Sequence, residues 1–192
     1  MLPALPSWDI RGWGETSPLN GPAWSLLYEY IANILYALVI RRFPKFVLGL
    51  FVAGAAVLTL DLTLNLDLFG LLSADRSAAY TVIGGWSVTP EQIYIGFSRL
   101  LYPFFAGLLL SRLGAAIRVR GGFWWCSLLI AAALVMPHVG SVAAPWIDGG
   151  YQALVILFVF PLIVSMGAGS RVAGARSVAV CTFLGEISFP LY

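Results

Sequence analysis

Charge is what this 192-residue chain has least of: Asp, Glu, Lys and Arg make up 10% of it. A soluble domain carries about a quarter, so an ordinary soluble globular domain is excluded. No basic cluster is dense enough for nucleic acid, and no nucleic-acid partner is expected. Histidine occurs once, as His138. It follows Pro137 at the edge of an apolar run, with no carboxylate near it in sequence to orient its ring, so it reads as a surface or packing residue. Cysteine occurs twice, as Cys126 and Cys181, without metal-ligand spacing. Both read as small packing residues in apolar runs, and neither a metal site nor a bound cofactor is expected. Pro3, Pro6, Trp8 and Asp9 interrupt the start, with no basic region before an apolar core, so no signal peptide is read. A Gly-rich phosphate loop, a serine-hydrolase elbow, an internal repeat and a separate soluble domain are also missing.

What is there is apolar length. Hydrophobic residues make up 60% of the chain and the mean hydropathy is +0.89. Several runs approach or reach the ~20 residues that cross a bilayer. The pattern predicts spans at Pro22–Ile40, Phe46–Leu60, Ile93–Leu113, Phe123–Val139, Tyr151–Gly167 and, incompletely, Val178–Tyr192. The fold class is therefore all-α: a polytopic helical membrane bundle of five spans plus an incomplete sixth. At ~1.5 Å per residue the last run reaches only ~22 Å of a ~30 Å hydrocarbon core, and the chain is expected to be an internal piece of a longer protein. Pro22 fits a first helical position, and Thr89-Pro90-Glu91-Gln92 resembles a capping box. The stretch 61–92 is expected to be an external loop with an interfacial helix near Leu62–Leu72. Trp86, Trp124, Trp125 and Trp146 fall near span ends, where an aromatic belt places them.

The few charges orient the spans. One set of loops holds Arg41, Arg42, Lys45, Arg112, Arg118, Arg120, Arg171 and Arg176. The other holds Asp9, Glu15, Asp61, Asp67, Asp75, Glu91 and Asp148, with only Arg11 and Arg76 against them. The two sets alternate along the chain, and the positive-inside rule makes the basic loops cytoplasmic.

Glu29, Arg99 and Glu186 remain near or within the membrane. An intramembrane carboxylate costs about 2.5–3.5 kcal/mol on insertion scales, which makes each such position a functional candidate. Ser25, Glu29, Asn33 and Tyr36 recur at spacings of four, four and three, on one helical face. Such a stripe is expected to face other helices or a wet cavity. Arg99 enters from the external end of the third span at a comparable depth. Three readings stay open for it: an ion pair with Glu29 that fixes packing, contact with an anionic part of a substrate, or snorkelling to the interface. Glu186 either lines the same cavity or is bonded to a neighbouring group. Gly107 and Ser111 make a small-xxx-small face for close helix approach. These charges alone fit a transporter-type protein, with Glu29, Arg99 and Glu186 lining a substrate path.

The stretch Asn20-Gly-Pro22-Ala-Trp24-Ser25-Leu26-Leu-Tyr-Glu29 resembles the Asn-x-Pro-x-Trp-Ser-Leu-x-x-Glu pattern of the type-3 acyltransferases, multi-pass membrane O-acyltransferases. Arg99-Leu-Leu-Tyr-Pro-Phe104-Phe105-Ala-Gly107 is similar to that family's Arg-…-Phe-Phe-x-Gly segment. Leu184-Gly-Glu-Ile-Ser188-Phe-Pro-Leu-Tyr192 is similar to its Leu-Gly-x-Ile-Ser-Tyr-x-Leu-Tyr segment. The three occur in family order over nearly the whole chain. The resemblance implies that residues 1–192 are part of a membrane acyltransferase domain of about ten helices. It also implies transfer of an acyl group, often acetyl or succinyl, from cytoplasmic acyl-CoA to a sugar hydroxyl of an envelope glycan, at the bacterial inner membrane. Glu29 is then the candidate catalytic residue, orienting an acceptor hydroxyl or a partner's imidazole. Asn20, Trp24, Ser25, Asn33 and Arg99 are candidate substrate-binding residues. The family's catalytic histidine, on its first membrane helix, has no matching position here, so the isolated chain is expected to be inactive.

Overall fold

The computed structural model describes residues 24–73, 79–135, 140, 144–172 and 174–188. Every regular element in it is helical: α1 (Trp24–Leu38), a 3-10 turn (Ile40–Arg42), α2 (Lys45–Leu64), α3 (Pro90–Leu113), α4 (Gly122–Val135), α5 (Trp146–Leu154), a π turn (Val155–Val159), α6 (Phe160–Gly169) and α7 (Ala175–Ser188). Three stretches are long and apolar enough to cross a membrane: Lys45–Leu64, Pro90–Leu113 and the continuous run Trp146–Gly169. α4 is a shorter apolar helix. The chain is an all-α polytopic membrane bundle. Large apolar side chains such as Phe46, Leu134, Val135 and Phe158 stand exposed on its outside, the side that faces acyl chains.

The central pair is α2 and α3. Three apolar clusters step along it from the basic end outward. The first is Ile40, Leu48 and Phe105; the second Ala55, Tyr102 and Ala106; the third Leu62, Leu72 and Ile95. Between helices in lipid such packing carries most of the association, because the tails outside are as apolar as the contacts inside.

Helix ends follow local chemistry. Thr89 caps α3: its Oγ1 accepts from the Gln92 N–H at 3.3 Å, and Pro90 occupies the first turn. Only half of the expected capping box forms, since the Gln92 side chain accepts from the Gly85 N–H at 2.6 Å instead. Gly114 closes α3 in the left-handed conformation. At the same end the Arg112 guanidinium donates to the carbonyls of Phe43, Ile40 (3.1 Å) and Arg41 (3.0 Å), closing the corner between α1 and α2.

Two expectations are corrected between α2 and α3. No interfacial helix forms over 62–72: α2 runs on to Leu64, and Asn65 ends it in the left-handed region at φ 52°. Asp61 therefore belongs to the last turn of α2 rather than to an external loop, and it is fully buried. Its carboxylate accepts from the Leu68 N–H at 2.8 Å and from the Tyr94 hydroxyl. With two donors aimed at it, the buried carboxylate is a tether for the returning loop.

Candidate functional site

α1 leans on α3 at a glycine. A Cβ on Gly96 would overlap the phenol ring of Tyr28, so only glycine lets the helices approach this closely. Tyr28 is buried there, edge-on to Trp24 (5.8 Å) and to Phe97 (5.2 Å). The approach leaves a groove of about 340 Å3 between the two helices, with Ser25, Glu29 and Trp24 on one wall and Arg99 and Phe104 on the other.

The connection before α3 packs against two residues that line this groove, Trp24 and Gly96. Gly84 (φ 136°) and Gly85 (φ 100°) are buried, with backbone that L side chains rarely adopt. A Cβ at Gly85 would lie 2.8 Å from Cζ3 of Trp24 and 2.9 Å from Cα of Gly96. The loop is tied by its backbone. The Gly84 carbonyl accepts from Arg99 Nη1 at 2.7 Å, and Gln152 Oε1 accepts from the Val82 N–H (3.2 Å) and Thr81 Oγ1 (3.1 Å).

Arg99 stands where this loop, α1 and α3 meet. Its guanidinium carbon lies 4.8 Å from the centre of the Trp24 ring, within cation–π range. Glu29 and Arg99 line the same groove, yet among the described residues they form no ion pair. Both side chains are exposed to it. Arg99 spends one of its five N–H donors on the loop carbonyl, which leaves the rest of the fork for a ligand.

A second cavity, about 180 Å3, opens on the other side of Arg99. Its walls are mainly apolar: Leu62, Tyr102, Ala106, Leu110, Phe160 and Val164 contribute. Arg99 and Pro103 line both spaces. Ser98 to Leu110 spans about 18 Å of helix at ~1.5 Å per residue, so the cavity runs along α3 from the depth of Arg99 toward the basic end. Gly107 lines it with no atom within 4 Å of where its Cβ would be. The expected close helix approach at that glycine is therefore not made; the missing side chain contributes to the cavity.

The stripe predicted on α1 divides. Ser25 and Glu29 face the groove, whereas Asn33 and Tyr36 continue along the same face and are exposed below it. Asn33 Nδ2 donates to the Glu29 carbonyl at 2.9 Å, an intrahelical bond one turn away. Glu186 is exposed on α7, a helix with no buried described side chain, and it lies outside both spaces. Asn20, Pro22 and His138, and the last motif beyond Ser188, lie outside the described residues.

Two residues that matter here carried weak signals in the sequence, and a third, Tyr102, carried none. Gln152 is a lone amide in an apolar run, and that polarity pointed to a buried role. Pro161 marked a break, because proline has no N–H for the carbonyl of Leu157 one turn earlier. Tyr102 supplies the missing donor, its hydroxyl 2.7 Å from the Leu157 oxygen.

No curated protein and no solved structure gives a significant match to this chain. A family model described as "Acyltransferase domain" matches residues 2–192. That span takes in all three motifs together with the groove, the apolar cavity and Arg99 between them, and on it the chain belongs to the type-3 acyltransferase family.

Proposed function

We propose that this protein moves a short acyl group from cytoplasmic acyl-CoA to a sugar hydroxyl of an envelope glycan at the bacterial inner membrane. The observation that carries the reading is the junction at Arg99: a polar groove holding Glu29 meets an apolar cavity at one guanidinium. Acyl transfer needs three neighbouring provisions: a dry place for the acyl chain, a polar place for the polyhydroxy acceptor, and positive charge where the carbonyl oxygen becomes an anion. A cavity of about 150 Å3 holds one benzene-sized group, so about 180 Å3 suits an acetyl- to succinyl-sized acyl group.

In the reaction the acceptor oxygen attacks the thioester carbonyl. A C–O bond forms, the C–S bond breaks, and the hydroxyl proton passes to a base while the thiolate leaves. Arg99 is placed to meet the developing oxyanion. Glu29, across the groove, accepts a hydrogen bond from the acceptor hydroxyl or from the base that deprotonates it. Trp24 and Ser25 line the acceptor side; Asn33, one turn beyond Glu29 on the same helical face, and Asn20, from the same sequence motif, complete the proposed acceptor-binding set. The family's basic histidine has no matching position in this sequence, so turnover by this chain alone is expected to be absent, with the base supplied by another polypeptide segment.

The test is transfer of isotopically labelled acetyl or succinyl from acyl-CoA to glycan in membranes supplying that segment. Glu29→Gln should abolish most transfer while the protein stays membrane-inserted. Wild-type turnover by that variant would overturn the role of Glu29, and glycan uptake into vesicles without labelling would favour a transporter.

A further inference from the structure

The basic face carries a cleft whose residues the acyl-transfer reading has not assigned. The stretches 39–45, 112–121 and 170–176 contain no Asp or Glu. Their cations nevertheless have different situations. Arg112, at the end of α3, is committed to three backbone carbonyls. Arg118, Arg120 and Arg171 converge from two separate linkers on one cleft of about 520 Å3. None of these three guanidinium groups is bonded to a protein acceptor among the described residues, and all three are exposed.

Packing holds the cleft in shape. The Ile117 N–H donates to the Ser165 carbonyl at 2.9 Å, and Ser170 Oγ donates to the Val119 carbonyl at 3.2 Å. A Cβ on Gly169 would overlap the backbone of Ile117, and one on Gly122 would overlap the Ser170 side chain. The two linkers are thus seated on each other at glycines. Gly121 in the cleft wall leads directly into α4, whose N-terminal N–H groups add partial positive charge. Topology alone requires cations on this face, but it does not require three of them around one cleft.

We infer that Arg118, Arg120 and Arg171 form a binding cradle for a phosphate-bearing ligand at the cytoplasmic rim. Planar guanidinium forks match phosphate oxygens in pairs, and the cleft volume lies within the ~300–1,000 Å3 of small-molecule sites. The phosphate source is either a soluble nucleotide-type carrier or an anionic lipid headgroup at the same rim. The soluble-carrier arm rests on the acyl-CoA donor proposed above, whereas the lipid arm does not, and both are read as binding rather than turnover.

The experiment uses the full chain in nanodiscs. One arm titrates adenosine 3′,5′-bisphosphate against phosphatidylcholine discs. The other exchanges phosphatidylcholine for phosphatidylglycerol and counts bound lipid by native mass spectrometry. Each is run on wild type, on Arg118→Gln/Arg120→Gln/Arg171→Gln, and on the charge-matched control Arg41→Gln/Arg42→Gln/Lys45→Gln. Loss of three charge-assisted contacts should weaken one of the two probes by about tenfold or more in the cleft variant, with less than about twofold change in the control. Selective loss in the first arm assigns a soluble phosphate ligand; selective loss in the second assigns a lipid headgroup. Equal weakening of cleft and control variants, or no binding of either probe by wild type, overturns the cradle. The Arg→Lys triple at the same positions keeps the topology-determining charge, so reduced binding there cannot be blamed on misinsertion.

Discussion

Tyr102→Phe removes one oxygen and, with it, the side-chain donor to a carbonyl that proline has deprived of its helical N–H. The Tyr102 hydroxyl reaches the Leu157 oxygen at 2.7 Å, while Pro161, one turn on, has no N–H to offer. The tyrosine is buried in the middle cluster with Ala55 and Ala106, and the cavity beside it is walled mainly by apolar groups that do not hold a replacement water. An unmet buried acceptor costs about 1–3 kcal/mol in soluble proteins. Hydrogen bonds between membrane helices measure lower, about 0.6 kcal/mol on average and about 1.7 at most, because the unfolded chain in lipid finds other partners. The loss here should therefore be about 1 kcal/mol, without a change in the pair of helices that pack. Steric trapping or forced unfolding in bilayers measures it. The decisive comparison is a double-mutant cycle with Pro161→Ala, which returns an N–H to the turn. If the proline is why the tyrosine is needed, Tyr102→Phe should cost distinctly less in the Pro161→Ala background, by more than the ~0.3–0.5 kcal/mol scatter of additive pairs. Strict additivity, or a Tyr102→Phe protein as stable as wild type, refutes the account.

Other consequences can be read as directly. Gly96→Ala should destabilise by about 1–3 kcal/mol and separate α1 from α3, since its Cβ meets Tyr28; a disulfide or spin-label distance across the two helices would register the shift, and an unchanged distance would contradict it. Arg112→Gln should cost about 1–3 kcal/mol by releasing the carbonyls of Ile40, Arg41 and Phe43, visible as faster hydrogen exchange confined to the 40–45 corner. Arg99→Lys keeps the charge but loses the planar fork and much of its stacking on Trp24; in membranes that supply the missing base, acyl transfer should fall by about 10²-fold, and a fall below about threefold would remove Arg99 from the reaction.

Composition and hydropathy made the architecture legible, because lipid permits few alternatives: a chain with 10% charge and repeated long apolar runs has to be a helical bundle or something close to it. Helix limits were blurred where apolarity and helicity part company. α2 ends at Leu64 rather than Leu60, since a buried carboxylate with two donors can sit in a helix that a charge-based boundary would stop at Asp61. The run predicted as Tyr151–Gly167 starts earlier, at Trp146, and contains a π turn at Val155–Val159, which no periodicity marks. Glu29 and Arg99 were legible as candidates from their cost in lipid. Their relation was not: sequence permitted an ion pair, and the structure instead gives Arg99 a loop carbonyl and an indole face. That loop is placed by Gly84 and Gly85 backbone and by two glutamine side chains, a long-range arrangement invisible to local spacing.

The interruptions within the long membrane-spanning stretches collect in one place, and lipid explains why. Backbone without its own helical partner survives at membrane depth only inside protein or beside a cavity. Pro103 interrupts the bonding of α3, Pro161 that of the α5–α6 run, and the π turn lies just before it; Pro103, Pro161 and Ile156 all line the apolar cavity. The glycine loop packs against the groove next to it, and its Gly84 carbonyl holds Arg99. Had the bundle been selected for stability alone, straight helices with filled interfaces would have served better, since each interruption costs on the order of 1–3 kcal/mol. Their concentration around Arg99 follows if the space is kept open for a ligand that must pass from the basic side to the groove. It also sets a limit on repair. Filling the cavity, for example by Gly107→Leu, should stabilise the bundle, because nothing lies within 4 Å of the new Cβ, and should abolish acyl transfer at the same time. A variant both more stable and fully active would mean that the cavity is only a packing flaw.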